Sequence, residues 1–584
     1  MKKQILTLIF LFLAVCGFTI TINVPADYET IQAGLNVATE GDSVLVANGI
    51  YYENIVWPVV NGIKLIGESE ETTIIDGDSL ASVIRFEEDL SGTIDSNTII
   101  TRFTIQNGYA YGDYDTTSRG GGIYCYQSSP SLEDITISEN YATVKGGGIY
   151  CYQSSPSLEH VTITNNSATS SGGGIHCYQS NLSLMNVRIA NNSAEEYDGG
   201  GMLLYESSAS LENVIITNNF AYYGGGISCW NSSSILDNVT ISENEAVYIG
   251  GGICSEYSET SLTNVTITHN WVEEKGGGIF CRGSMNITLL NVTITNNWAG
   301  YRGGGVYIES AWNYTHNSMN VVINQNEAQY GGGIFCSSSS PNLVDVTITN
   351  NSAQYGGGIS MIYDSHPRLI NCIMWNNSPR EIYFFPYFAS NSILIAYSDI
   401  QGGLAGIQTN NNGTVYWEEG NINENPLFVN AENGDYTLQQ NSPCIDAGIA
   451  YFEWDEEVWV DLAEDEYYGI APDMGCYEWE EVNTEEPELP VSHNYQLSNH
   501  PNPFNPTTTI SFSLTTNLHE KARIEIFNIK GQKVKTFDII TNGAEGSVIW
   551  NGRDETNKPV SSGIYFYKLV AGENTVTQKM LLLK

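Results

Sequence analysis

The side chains best suited to ligand binding in this sequence are aromatic residues that follow a repeated glycine triplet at fixed distances. They lie four and six residues after the first glycine, and these even spacings put them on one face of a strand. Stacked rings would form a platform for sugar rings or a partner surface, but ring columns also stabilise a sheet by themselves. Both interpretations stay open for Tyr124, Tyr126, Tyr150, Tyr152, Tyr178, Tyr205, Trp230, Phe280, Tyr307 and Phe335.

Residues suited to acid–base or metal chemistry show no comparable pattern. The eight histidines lack the spacing of metal ligands, and Arg188 and Arg282 are isolated. Acidic residues between Asp455 and Glu466 could hold calcium, although they lack EF-hand spacing and a solvated acidic surface is the alternative. The sequence therefore predicts no catalytic residue, no metal site and no cofactor, with calcium left open.

The cysteines fall into two groups. One group lies five residues after the first glycine of a triplet, on the same face as the aliphatic residue that follows the triplet, and is predicted to be small and buried. This group comprises Cys125, Cys151, Cys177, Cys229, Cys281 and Cys336. Cys444 and Cys476 lie beyond the triplets, where a disulfide between them would join the least repetitive part of the chain. The sequence leaves that disulfide open.

Ten glycine triplets, which begin 25 to 28 residues apart, define the elements that must position these side chains. Apolar and polar residues alternate with a period of two within each repeat, which predicts short strands. Strands this short cannot bury a face alone, whereas a fixed repeat lets each coil stack on the next through parallel ladders about 4.8 Å apart. The repeat therefore predicts an all-β, right-handed parallel β-helix with about 26 residues per coil.

One asparagine recurs 20 to 23 residues after the start of every triplet, at a predicted turn. In a solenoid, such residues stack as an internal amide ladder that hydrogen-bonds the turn backbone of neighbouring coils. The predicted ladder comprises Asn140, Asn166, Asn192, Asn219, Asn244, Asn270, Asn297, Asn326, Asn351 and Asn377.

The amino-acid composition and net charge limit the classes of function that this protein could have. The 584 residues include 66 acidic and 23 basic side chains, for a net charge of −43, which argues against nucleic acid or anionic lipid as a partner. Hydrophobic residues make up 41% of the chain and charged residues 15%, as in a folded protein. The 57 glycines show no G-X-Y period, so they indicate a turn-rich β protein and not collagen.

The first twenty residues are typical of an export signal. Lys2 and Lys3 precede an apolar run over residues 5–15 that is too short to span a bilayer comfortably. Lipidation at Cys16 is the alternative, which Val15 disfavours because such signals have a small residue there. No later stretch is predicted to cross a membrane.

The repeats resemble a known superfamily. Their GGGI and VTITNN patterns are similar to those of polymorphic outer-membrane proteins and related pectin-lyase-like β-helices, residues 24–55 resemble the N-terminal cap of that superfamily, and segments within 371–478 resemble its closing coils. Many members cleave polysaccharides, so the resemblance implies a lyase or glycoside hydrolase as one function. The Asn-Thr-Asp, Asp-Asp and Gly-His-Gly motifs of the hydrolases do not occur in this sequence.

The C-terminal residues form a separate module. Alternation at Ile510, Phe512 and Leu514 predicts a small antiparallel sandwich. The stretches 499–506, 526–532, 562–565 and 579–584 resemble the C-terminal sorting domain of the type IX secretion system, which has a FlgD-type immunoglobulin-like fold. The resemblance implies handling by the type IX machinery and a sorting motif of Pro501, Asn502, Pro503, Phe504, Gly531, Gly563 and Tyr565.

The sequence thus predicts an exported β-helix protein that is secreted or displayed on the outer surface of a Gram-negative bacterium after passing through the periplasm. The predicted role is non-catalytic, as a binding, adhesive or structural element with a polysaccharide or cell-surface ligand, and polysaccharide cleavage is the alternative. The predicted segments are a signal peptide (1–20), a cap with first coils (21–118), ten glycine-triplet coils (119–380), closing coils (381–481), an acidic linker (482–498) and the sorting domain (499–584).

Overall fold

The computed structural model describes residues 19–87, 94–112, 116–283, 286–311, 317–480, 496–502, 504–513, 522–528, 533–539, 545–561, 563–571 and 574–582. Most of the predicted signal peptide and linker lies outside these residues. The chain divides after residue 480 into two compact units.

Parallel strands of the first unit stack coil on coil into three sheets, which we call sheets A, B and C. Residues pair in register with their counterparts in the next coil, so that Ile149 lies between Ile123 and Ile175. This architecture confirms the predicted parallel β-helix. The strands of sheet B are Ile55–Val56, Ile84–Phe86, Ile123–Tyr126, Ile149–Tyr152, Ile175–Tyr178, Met202–Tyr205, Ile227–Trp230, Ile253–Glu256, Ile279–Arg282, Val306–Ala311, Ile334–Ser339, Ile359–Ile362, Ile382–Phe384 and Ile407–Gln408.

Sheet A is the largest sheet, and most coils contribute to it on both sides of a bend. Its strands are Thr21–Val24, Ser43–Val46, Gly49–Tyr52, Lys64–Gly67, Thr73–Asp76, Ile99–Gln106, Ser131–Ser138, Ser157–Glu159, Thr162–Thr164, Asn181–Met185, Arg188–Ala190, Ser208–Glu212, Ile215–Thr217, Ser233–Asp237, Thr240–Ser242, Glu259–Thr263, Thr266–Thr268, Asn286–Thr295, Asn317–Asn324, Asn342–Thr349, Arg368–Ile370, Ile373–Trp375, Asn391–Ala396, Asp399–Ile400 and Gly413–Trp417.

Sheet C is formed by short strands that precede the glycine triplets. They are Tyr109–Ala110, Tyr141–Ala142, Ser167–Ala168, Ser193–Ala194, Phe220–Tyr223, Glu245–Ile249, Trp271–Val272, Trp298–Arg302, Glu327–Tyr330 and Ser352–Tyr355. The helix Ile31–Val37 buries Ile31 and Leu35 against the first coils, and Thr30 caps its N-terminus. Short 3₁₀ helices span Thr116–Ser118, Gly403–Gly406 and Ala431–Asn433.

The glycine triplets are required by the closeness of neighbouring backbones. Gly224 has φ +63, a conformation that favours glycine. Gly225 has no such φ, but a β-carbon there would collide with the carbonyl oxygens of Glu245 and Gly251. The triplet therefore combines a left-handed turn with a position where only a hydrogen atom fits.

Inside the solenoid, the ten asparagines hydrogen-bond in series. The backbone N–H and the side-chain Nδ2 of Asn219 both donate to Oδ1 of Asn244 at 3.0 Å, and Nδ2 also donates to the carbonyl of Ile189 at 3.1 Å. At the end of the ladder, Asn377 donates to both carboxylate oxygens of Glu381, at 3.1 and 2.6 Å. Burial raises the pKa of Glu381 to about 7, although these bonds oppose the shift.

A second internal ladder, which the sequence analysis missed, is made of serines. Each backbone N–H donates to the hydroxyl of the serine one coil on, at 3.0 to 3.1 Å. The members are Ser128, Ser154, Ser180, Ser207, Ser232 and Ser258. Their sequence signal is a serine eight residues after the first glycine of each of these triplets.

The region predicted as closing coils, residues 381–481, differs from that prediction in its second half. Parallel coil strands end at Trp417, and two antiparallel hairpins follow, Phe428–Asn430 with Asp435–Leu438 and Tyr451–Trp454 with Glu457–Asp461. These hairpins pack on the outer face of sheet A, because Phe452 and Val460 contact Val344 and Ile370. We call residues 426–480 the flap.

The second unit is a small antiparallel sandwich. One sheet holds Gln496–His500, Thr508–Ser513 and Glu545–Trp550, and the other holds Ala522–Asn528, Lys533–Ile539, Gly563–Ala571 and Asn574–Leu582. Their apolar faces share one buried cluster that includes Ile510, Ile524 and Trp550. This arrangement confirms the predicted sandwich.

Replacing Asn244 with Ala should lower the free energy of unfolding by about 3 kcal/mol, because it leaves buried donors on Asn219 without an acceptor. The matched control is Gln329→Ala, which removes an exposed inter-coil amide bond to Gln354 and should cost about 0.5 kcal/mol. Chemical denaturation of both variants gives the comparison. Equal losses would show that the ladder adds no more than a surface pair.

Candidate binding surface on sheet B

The outer face of sheet B carries two columns of aromatic rings, which differ in their exposure to solvent. The first column, four residues after each triplet's first glycine, is buried, with Tyr124 and Phe335 each 0% exposed. Of the two interpretations that the sequence left open, an accessible platform is wrong for this column. The correction applies to Tyr124, Tyr150, Phe280, Tyr307 and Phe335.

The residues that precede the glycine triplets cover the first column. The turn at each triplet brings these residues over the rings, where Arg119 lies 5.3 Å from the ring centroid of Tyr150 and Arg302 lies 4.8 Å from that of Phe335. Burial raises the pKa of Tyr150, although the charge on Arg119 opposes this shift. The first column is therefore a secondary core of rings under cations.

The second column, six residues after each triplet's first glycine, stays at the surface. Tyr126 and Tyr152 stack at 4.8 Å with an interplanar angle of 11°, and the rings of Tyr178, Tyr205 and Trp230 continue the column at 5.4 to 6.5 Å. Tyr205 and Trp230 are each 37% exposed. Because neighbouring rings cover much of each other's faces, the column presents mainly ring edges and phenol hydroxyls.

The structure adds residues to this surface that the sequence analysis missed. Tyr257 extends the column below Trp230 at 5.4 Å, but it lies seven and not six residues after its triplet begins. Beside the rings, Gln127, Gln153 and Gln179 form an exposed amide ladder at 2.7 to 3.0 Å that ends on Glu206. The sequence signal was the Tyr-Gln-Ser triplet of three successive repeats.

Glu206, at the end of the amide ladder, also acts on the phenol of Tyr178. The charge on Glu206 raises the pKa of Tyr178, and burial adds a smaller shift in the same direction. The surface therefore offers hydroxyl donors, amide donors and acceptors, and apolar ring edges in rows that follow the solenoid axis.

The disulfide between Cys444 and Cys476 that the sequence left open is not formed, and both residues are free thiols. Cys444 packs with Ile373 and Met474, whereas Cys476 lies in another cluster with Val322 and Tyr436. The flap packs the two cysteines against strands of different coils.

Within the second unit, two described residues of the predicted sorting motif, Phe504 and Tyr565, belong to the buried core. The Phe504 ring lies 5.6 Å from Trp550, which contacts Tyr565 at 5.1 Å. Nδ2 of Asn502 donates to the carbonyl of Lys579, and the carbonyl of Pro501 accepts a bond from Thr508. Gly563 begins a strand with φ +147, and Pro503 and Gly531 lie outside the described residues.

Two further observations concern metal binding and membrane spanning by the described residues. Among them, no three His, Cys, Asp or Glu side chains are grouped so that they could hold a metal ion. Nor does any helix in the described part of the chain have the length and apolar character needed to cross a membrane.

Comparison with family models gives two matches. A model described as the right handed beta helix region matches residues 33–234, 121–279 and 277–460, and one described as the secretion system C-terminal sorting domain matches residues 498–583. These matches confirm the right-handed β-helix and the sorting domain that the sequence predicted. A comparison with curated proteins finds no match.

If the first column is structural, Phe335→Ala should lower the free energy of unfolding by about 3–5 kcal/mol, because it leaves a cavity under Arg302. Tyr205→Ala, in the exposed second column, should cost about 1 kcal/mol. Urea denaturation of the two variants measures the difference. A larger loss for Tyr205→Ala would contradict the assignment of the two columns.

Proposed function

Because the chain belongs to the right-handed β-helix family and ends in a secretion system C-terminal sorting domain, we propose that this exported protein binds an extended glycan without cleaving it. The secretion and the fold follow from the family matches. The ligand class and the non-catalytic role are the proposed part.

The second aromatic column with its glutamine ladder supports this proposal. The rings from Tyr126 to Tyr257 and the amides from Gln127 to Gln179 repeat at the spacing of the coils. A polymer of sugar units presents hydroxyls at a regular repeat, which suits parallel rows of phenol hydroxyls and amides. Several weak contacts to one glycan polymer also strengthen its overall binding. Once the first contact has formed, the others are intramolecular and have a high effective concentration.

The sorting domain supports delivery by the type IX machinery. We propose that this route crosses the periplasm and outer membrane of a Gram-negative bacterium and leaves the solenoid secreted or attached to the cell surface. An adhesive or structural role is the form of binding that such a location favours.

Glycan binding is tested on the full chain with a panel of polysaccharides, recording both retention and release of reducing ends. The triple variant Tyr152→Ala, Tyr205→Ala, Trp230→Ala should reduce retention at least tenfold because it removes the central rings of the column. The matched control is Tyr222→Ala with Tyr248→Ala, which removes exposed stacked rings from sheet C and should leave retention unchanged. Release of reducing ends that is independent of the column would favour the alternative, a polysaccharide lyase or glycoside hydrolase.

Delivery is tested by two substitutions in the sorting domain of the full chain. Phe504→Ala removes a buried ring that packs on Trp550, so it should unfold the domain and hold the protein inside the cell. Ile549→Ala changes a side chain that is 64% exposed and should leave delivery normal. Fractionation and protease accessibility of the solenoid measure delivery. Normal surface display of a chain lacking residues 498–583 would refute the assignment.

A further inference from the structure

A cleft of about 690 Å³ lies between the outer face of sheet A and the flap, on a different sheet from the second aromatic column. Its floor includes Asn291, Asn320 and Asp345, and its roof includes Glu466, Tyr477 and Glu478. Apolar walls are provided by Leu290, Met319 and Leu462. The lining thus combines three carboxylates with amide and apolar side chains.

The flap is fastened over this cleft by specific hydrogen bonds. The hydroxyl of Tyr436 accepts a bond from Nδ2 of Asn324 at 2.7 Å, and the backbone N–H of Cys476 donates to Oγ1 of Thr347 at 3.1 Å. Glu478 accepts bonds from the backbone N–H groups of Asp473 and Tyr468. Its carboxylate is therefore held in place at the roof.

Asp345 occupies a position where the neighbouring coils carry amides. In each coil a residue with positive φ forms the bend of sheet A, and this position is Asn264, Asn291 and Asn320 in the three preceding coils and Asn371 in the next. Asp345 is only 7% exposed, and its Oδ1 has no hydrogen-bond partner among the described residues. A buried carboxylate thus lines the cleft in place of an amide.

No cation of the described chain neutralises this carboxylate in the cleft. The lining holds three carboxylates and no Lys or Arg, and the sequence has no Lys or Arg between Arg380 and Lys521. Burial raises the pKa of Asp345 to about 7, although a hydrogen bond from the Asn371 side chain opposes this shift, and the charge on Glu478 adds to it. A buried carboxylate without a cationic partner is costly, so a cationic ligand would relieve an existing penalty.

We propose that this cleft binds an organic cation, a primary ammonium on a short apolar chain, with the ammonium against Asp345 and Glu478. The fixed carboxylates supply the charge, the asparagine amides accept further N–H bonds, and Leu290 and Met319 contact the methylene groups. A metal ion fits less well, because the described carboxylates do not form a group of three at metal-binding distances. Such an ammonium occurs both on protein lysines and on free diamines.

The test is calorimetric titration of the full chain with Nα-acetyl-lysine amide and with 1,5-diaminopentane. The neutral counterparts, Nα-acetyl-norleucine amide and 1-pentanol, should bind at least tenfold more weakly because they lack the charge. Tighter binding of the lysine derivative points to a protein side chain as the ligand, and tighter binding of the diamine points to a free amine. Either order supports an ammonium site.

Substitutions locate the binding. Asp345→Asn should weaken it at least tenfold, and it should leave the thermal unfolding temperature unchanged or higher, because it removes a buried charge. Glu478→Gln should also weaken binding and serves as the second variant if Asp345→Asn folds poorly. The control Glu212→Gln removes an exposed carboxylate from the outer face of sheet A beyond the cleft and should change nothing.

Three results would overturn the proposal. The first is unchanged affinity in both Asp345→Asn and Glu478→Gln. The second is equal binding of the ammonium compounds and their neutral counterparts, or no binding of either ammonium. The third is a calcium titration whose heat is lost in Asp345→Asn while the ammonium compounds stay inert, since the site would then hold a metal ion.

Discussion

The constraint on which the solenoid depends is the register between coils, and the asparagine ladder helps to set it. Each side chain accepts two bonds from the preceding coil and donates to the next, so a coil that slipped by one residue would lose these buried bonds. Such a slip would also turn every inward side chain outward. At the C-terminal end Glu381 accepts the final pair of bonds from Asn377. The carboxylate of Glu381 therefore accepts the bonds of the last donors of the ladder.

Once register is fixed, any residue type that recurs in the repeat becomes a column. Rings stack on rings, glutamines hydrogen-bond to glutamines, and serines form their own ladder. The register between coils is sufficient to bring these side chains together. The function of a column then depends on what lies over it. The glycine turn covers the first ring column with Arg119, Lys275 and Arg302 and leaves the second at the surface.

This distinction marks what the sequence could predict and what it could not. Period, strand parity and the inward asparagines follow from local spacing, so the β-helix and the positions of its columns were predictable. Exposure was not predictable, because an outward position such as Phe335 can be covered by a turn. Tyr257 was missed since its coil shifts the ring by one residue, and the flap was missed since its contacts, such as Tyr436 with Asn324, join residues 112 apart without a repeat. A residue that recurs in the repeat predicts local structure. Whether that residue is covered depends on segments that do not repeat.

The flap shows how one non-repeating segment can give a repeating position a different chemical character. At the bend of sheet A, Asp134 remains at the surface, where water solvates its carboxylate at little cost. Asp345 occupies the equivalent bend, but the flap removes its water without supplying a cation. The same side chain at the same φ is therefore ordinary in one coil and energetically unfavourable in another. Because a solenoid already stacks its coils by backbone and amide bonds, it can tolerate such a local penalty, and a penalty that an ammonium would remove is a source of affinity and selectivity.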